Sequence, residues 1–185
     1  MIPSASGSDR EFLFEQVRTA GGAKAVALMR RFATGSDDAL QDAATKTLGL
    51  WLSADAAPVL LQVAKGDGKF AIRALGGYIR IFRQFELPEA ERVAMAGKAL
   101  DVASRSNERI AAIDAMTRFP CVGTFELALA QLDVPGSEAA AATAILTIGR
   151  TVLDLDPAKG KAGLEKLIDA NVSDSATNSA KALLK

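Results

Sequence analysis

Apolar side chains recur every three or four positions along most of the chain, between short clusters of glycine, proline, serine and aspartate. This spacing places them on one face of an α-helix, and the clusters are typical helix ends. Ten or eleven helices are predicted, from the segments 10–20, 22–34, 37–52, 54–65, 69–85, 88–104, 106–119, 121–132, 137–153, 157–170 and 174–185. The links are so short that successive helices must lie antiparallel.

Residues 69–85, KFAIRALGGYIRIFRQF, have an unusually wide apolar surface for a single helix. On a helix, the charged edge of this segment spans only about 80° and the apolar arc about 200°, whereas a lone surface helix needs about 100°. The edge consists of Lys69, Arg73, Gly76, Arg80 and Arg83. We therefore expect this helix to lie within a stack of helices. Gly76 and Gly77 would then mark a place where another helix or a partner approaches the backbone.

A pattern in the second helix of each predicted pair recurs along the chain. A small residue is followed four positions later by a larger apolar one. The pairs are Ala44/Leu48, Ala71/Leu75, Ala112/Met116, Ala141/Ile145 and, more loosely, Ala180/Leu184. They are unevenly spaced, but on average about 34 residues apart, which is typical of helix-pair repeats.

Four stretches carry a resemblance to a known family: LGLWLS at 48–53, AIRALGGYIRI at 71–81, LPEAERVAM at 87–95 and NERIAAIDAM at 107–116. Together they resemble HEAT-type helical repeats, and residues 48–120 are similar to the HEAT regions of large multi-domain proteins from planctomycete-type bacteria. The resemblance implies an all-α fold, a right-handed α-α superhelix of about five helix pairs. It supplies no catalytic residues. We expect a flexible lead-in at 1–9 and a single HEAT-like repeat domain at 10–185.

The composition of the chain argues against several classes of protein function. The 22 cationic side chains balance 22 anionic ones, which argues against a dedicated nucleic-acid binder. Histidine is absent and there is one cysteine, so we predict no metal site, no cofactor and no enzymatic activity. No apolar run is long enough to span a bilayer, and the opening MIPSASGSDR lacks a signal-peptide pattern. We expect a soluble chain without membrane insertion, and its compartment stays open.

Four other features have structural interpretations. Trp51 and Cys121 are expected to be buried, and the Asp154/Asp156 pair is expected to cap a helix rather than hold calcium. The segment GKAGLEK at 160–166 lacks the spacing of a phosphate-binding loop.

The predicted contact surface is a concave strip on the second helices of the pairs. It consists of Lys69, Arg73, Arg80, Asp114, Arg118, Thr147 and Arg150. A second interpretation of its basic part stays open, in which long cationic side chains form the solvated edge of a buried helix.

The function that the sequence predicts is a non-catalytic scaffold or interaction module for a protein or peptide partner, within a larger protein. Two alternatives stay open: a DNA-glycosylase-type enzyme built on HEAT-like repeats, and a structural spacer or dimerisation module. We expect a monomer or a weak dimer.

Overall fold

The computed structural model describes residue 5 and residues 7–185, and in this part of the chain the fold is all-α, with no strand. The all-α prediction is therefore confirmed. The chain divides into two compact units, of which the first ends at Phe85 and the second is Glu86–Lys185. The prediction of a single domain over 10–185 stays a prediction.

Among the described residues, the first unit has five α-helices and a short 3₁₀ helix. They are α1 (Gly7–Ala20), α2 (Gly22–Ala33), α3 (Asp38–Gly49), the 3₁₀ helix (Ala54–Ala56), α4 (Ala57–Ala64) and α5 (Ala71–Gln84). The second unit contains six. They are α6 (Glu89–Val102), α7 (Ser106–Met116), α8 (Val122–Leu129), α9 (Glu138–Leu155), α10 (Pro157–Ala170) and α11 (Asp174–Leu183).

Side chains cap the first turns of three helices. The Asp37 carboxylate accepts hydrogen bonds from the first backbone amides of α3, and Asp156 and Ser173 do the same for α10 and α11. The capping role predicted for Asp156 is thus confirmed. Helix α1 begins at Gly7, inside the predicted lead-in at 1–9, and the remainder of that lead-in lies outside the described residues apart from Ala5.

Alternate helices pack side by side within each unit. In the first unit, α3 contacts both α1 and α5, and α2 contacts α4. In the second unit, α9 contacts both α7 and α11, and α8 contacts both α6 and α10. Each unit therefore has two layers of helices, one of odd-numbered and one of even-numbered helices.

The apolar arc of α5 is buried, as its width predicts. Its buried side chains include Ala74, Leu75, Tyr78, Ile81 and Phe82. Ile72, at the margin of the arc, is 44% exposed. Within the first unit α5 packs against α3 and α4, and its expected place inside a longer stack of helices stays a prediction.

The two adjacent glycines of α5 have different surroundings. A β-carbon at Gly77 would lie 2.8 Å from the Cα of Gly49 on α3 and would also press on the Leu60 side chain. A β-carbon at Gly76 would meet nothing within 4 Å. Only Gly77 is needed for close helix packing, so the expected approach of another helix is found at one of the two positions.

Glycines on α10 allow a similar approach in the second unit. A β-carbon at Gly160 would lie 2.9 Å from the backbone of Leu153, and one at Gly163 would overlap the Phe125 ring. The glycines of GKAGLEK therefore serve helix packing, which explains why this segment only superficially resembles a phosphate-binding loop.

Two lysines of α10 show how α10 lies along α8. Lys159 Nζ is 2.7 Å from the Glu126 carboxylate, and Lys166 Nζ is 3.8 Å from that of Asp133, just after α8. The order of the contacts is the same along both segments, so α8 and α10 run parallel.

The glycine pair of α5 gives a matched test of this packing. We expect Gly77→Ala to lower the free energy of unfolding by about 1–3 kcal/mol, because the new methyl group has no room against the α3 backbone. Gly76→Ala should raise it by about 0.5–1 kcal/mol, because alanine is the better helix former at an unobstructed position. Urea unfolding followed by fluorescence of Trp51, the one tryptophan of the chain, reports on the first unit directly. Equal effects of the two substitutions would contradict this packing.

Candidate functional site

The basic edge of α5 faces α3. Lys69 Nζ lies 2.7 Å from the Asp38 carboxylate, and Arg73 Nη1 lies 2.6 Å from that of Asp42. Each pair is 31 residues apart in sequence. Both pairs are solvent-exposed, so each contributes only about 0.2–1 kcal/mol. Their main effect is to fix the parallel register of α3 and α5, and their contribution to the free energy of unfolding is small.

Asp42 is shared between two cations. Hydrogen bonds, first from Lys46 and then from Arg73, hold the pKa of its carboxyl below the usual range. The Arg73 guanidinium also lies 3.3 Å from the Thr45 hydroxyl. A carboxylate held by an arginine beside a threonine is therefore one way in which this chain fills the space between parallel helices.

Arg80 is bound to the backbone at the end of α3. Its Nε donates to the Gly49 carbonyl at 2.7 Å, and its Nη2 donates to the Trp51 carbonyl. Its Nη1 donates to the Gln84 side chain at 2.7 Å, and the guanidinium lies over the Phe85 ring. Partial burial, and then repulsion from Arg18, lowers the pKa of Arg80.

Arg18 of α1 reaches the same end of α3. Its Nη1 donates to the Leu50 carbonyl at 2.9 Å, and its guanidinium pairs with Glu15. Three consecutive carbonyls, those of residues 49–51, thus accept hydrogen bonds from two guanidinium groups. Carbonyls at a helix C-terminus lack partners within the helix and carry partial negative charge, so these cations stabilise the end of α3.

Two residues of the predicted strip line a groove in the second unit. Thr147 and Arg150 are exposed on α9, and the groove of about 550 Å³ lies between α9 and α11. Its lining consists of Leu146, Thr147, Arg150, Ser179, Ala182 and Leu183. A smaller groove of about 230 Å³ continues from Leu146 toward the start of both helices.

Arg150 differs from Arg73 and Arg80 in the surroundings of its guanidinium group. Within the described part of the chain it has no hydrogen-bond or ion-pair partner for its guanidinium. Asp114, on α7, and Arg118, two residues after α7, are exposed but do not line the groove. The predicted residues thus lie on or beside α5, α7 and α9, and their joint action as a partner-binding strip stays a prediction.

Another groove, of about 360 Å³, lies between α1 and α3 in the first unit. Charged side chains line it, but those of Arg18 and Lys46 are paired with Glu15 and Asp42. Arg18 and Lys46 therefore have carboxylate partners in this groove, which Arg150 lacks among the described residues.

The remaining features from the sequence have structural roles. Trp51 and Cys121 are buried, as expected, and the Cys121 thiol lies 3.5 Å from the Thr124 hydroxyl. No cluster of three acidic, histidine or cysteine side chains suited to a metal ion occurs among the described residues. None of the described helices is long and apolar enough to cross a membrane.

The sequence contains one pattern that indicates the α3–α5 contacts, in addition to the distribution of polar residues around each helix. Asp38 and Asp42 are each followed by a cation 31 positions later. The carbonyls bound by Arg18 and Arg80 had no such signal, because backbone groups at helix ends are the same in every sequence.

Arg80 and Lys69 belong to the same predicted strip but differ in their expected contribution to stability. We expect Arg80→Ala to lower the free energy of unfolding of the first unit by about 1–3 kcal/mol, because two half-buried carbonyls lose a charged donor. Lys69→Ala should cost less than about 0.5 kcal/mol, because its ion pair is exposed. Urea unfolding followed by Trp51 fluorescence measures both. An Arg80→Ala variant as stable as Lys69→Ala would show that Arg80 does not anchor α3.

Comparisons of the chain with protein-family models, with curated proteins and with solved structures found no match. The resemblance of residues 48–120 to HEAT-type repeats therefore stays a prediction.

Proposed function

We propose that the chain is a HEAT-like α-solenoid that acts as a non-catalytic interaction module for a protein or peptide partner. The observation that carries the proposal is the parallel packing of alternate helices within each unit. The pairs that register α3 with α5 are 31 residues apart, and Lys159 of α10 is 33 residues from Glu126 of α8. A displacement that is nearly constant in both units is what stacked helix pairs of similar length produce.

The proposed contact surface is the exposed side of the odd-numbered helices of the second unit. Long parallel helices of one layer leave grooves between them, and such surfaces are what repeat proteins use to bind extended partners. Within this surface, Thr147 and Arg150 are the best candidates for partner contact, because they line an open groove. Lys69, Arg73 and Arg80 already bind groups on or just after α3, so we assign them mainly to the contact between α3 and α5.

The non-catalytic part of the proposal rests on residue chemistry. The sequence has no histidine, which is the commonest general base. Its one cysteine, Cys121, is buried against Thr124, so the thiol is not accessible to a substrate from solvent.

Site-directed photo-cross-linking tests the proposed surface. A photoreactive phenylalanine analogue replaces Thr147 on α9 in one variant and Lys161 on α10 in the control, where it is equally exposed but on the other layer of helices. In a lysate of the source cell, we expect a discrete cross-linked protein from position 147 and none from position 161.

The other outcomes separate the alternatives. Equal cross-linking from both positions, or none from position 147, would contradict the proposed surface. A cross-linked product of twice the chain's 19.3 kDa mass would favour a dimerisation module instead. Salt-dependent binding of the unmodified chain to duplex DNA would favour the DNA-binding alternative.

A further inference from the structure

The groove between α9 and α11 is the counterpart, in the second unit, of a space that is filled in the first. Between α3 and α5, the cations of one helix cross to the carboxylates and carbonyls of the other. Along the α9–α11 groove, the facing hydroxyl side chains are short: Thr143 and Thr147 on one wall, Ser175 and Ser179 on the other. They do not span the distance between the helices, and the groove stays open.

The two walls of the groove offer complementary hydrogen-bonding groups. The hydroxyls of Thr143 and Thr147 donate to the carbonyls of Ala139 and Thr143, each at 2.9 Å, within α9. Their oxygen lone pairs are thereby turned outward as acceptors. The exposed Ser175 and Ser179 hydroxyls on α11 can donate. A polypeptide backbone has both amide donors and carbonyl acceptors, so it matches both walls.

The spacing along the groove also suits an extended peptide. Thr143 and Thr147 are four residues apart on α9, which corresponds to a rise of about 6 Å. Alternate residues of an extended chain, whose side chains and amides point the same way, are about 6.6 Å apart. Successive threonines can therefore accept from alternate amides of one bound strand.

Arg150 sets the charge of the occupant. It lies at one end of the groove beside Thr147, and within the described part of the chain its guanidinium has no partner. Another exposed arginine of the chain, Arg73, binds a carboxylate, that of Asp42. Leu146 and Leu183 give the groove an apolar floor for a neighbouring aliphatic side chain.

We propose that the α9–α11 groove binds an extended peptide segment that carries an aspartate or glutamate, with the carboxylate on Arg150 and the peptide backbone between the threonine and serine walls. This inference rests on the proposed function and names its partner class. It requires no contribution from the first unit.

Selection from a phage-displayed library of random heptapeptides on the full chain tests the proposal. We expect enrichment of aspartate and glutamate among the selected peptides. Fluorescence anisotropy with synthetic copies then gives dissociation constants for the groove variants. Arg150→Gln should raise the dissociation constant by about tenfold or more, because a charged hydrogen bond is lost. Ser179→Phe, which fills the groove, should abolish binding.

The control is Lys181→Gln, which removes a cation from α11 outside the groove lining and should leave the dissociation constant unchanged within about twofold. Thermal unfolding by circular dichroism confirms that each variant is folded. Selected peptides without acidic residues, or a selection that yields none, would overturn the proposal. Acidic peptides that bind Arg150→Gln and Ser179→Phe as tightly as the wild-type chain would also overturn it, while leaving a peptide-binding function elsewhere intact.

Discussion

The close approach of α3 and α5 at Gly49 and Gly77 is the constraint on which the first unit depends. Without a β-carbon at Gly77, the α5 backbone lies against the Cα of Gly49. Side chains on a helix lean toward its N-terminus, so Arg80, one turn beyond Gly77, reaches back to the Gly49 carbonyl. A larger residue at Gly77 would separate the helices and draw the guanidinium away from the end of α3.

The side chains between parallel neighbouring helices differ between the two units. In the first unit, long cationic side chains reach from one helix to the next, where they bind carboxylates and carbonyls. In the second unit, short hydroxyl side chains leave a groove, and Arg150 at its end has no such partner within the described residues. The length of the side chains between neighbouring helices, rather than the backbone, distinguishes a structural contact from a candidate binding site.

The starts of α3, α10 and α11 could be predicted from the sequence because they are set locally. Asp37, Asp156 and Ser173 cap helices through amides two or three residues away, and a short-range pattern reveals them. The functions of Gly76 and Gly77 could not be separated in this way, because they depend on which residue faces Gly49. The groove was also beyond prediction, although Thr147 and Arg150 were identified, since its openness depends on side chains of another helix.

The close approach of α3 and α5 is tested most directly by proton–proton distances in solution. A β-carbon at Gly77 would lie 2.8 Å from the Gly49 Cα, so a Gly77 Hα must be close to those of Gly49. Nuclear magnetic resonance should therefore show a strong nuclear Overhauser effect between the Hα protons of these two glycines. No such effect would contradict the close approach of the two helices on which this account of the first unit rests.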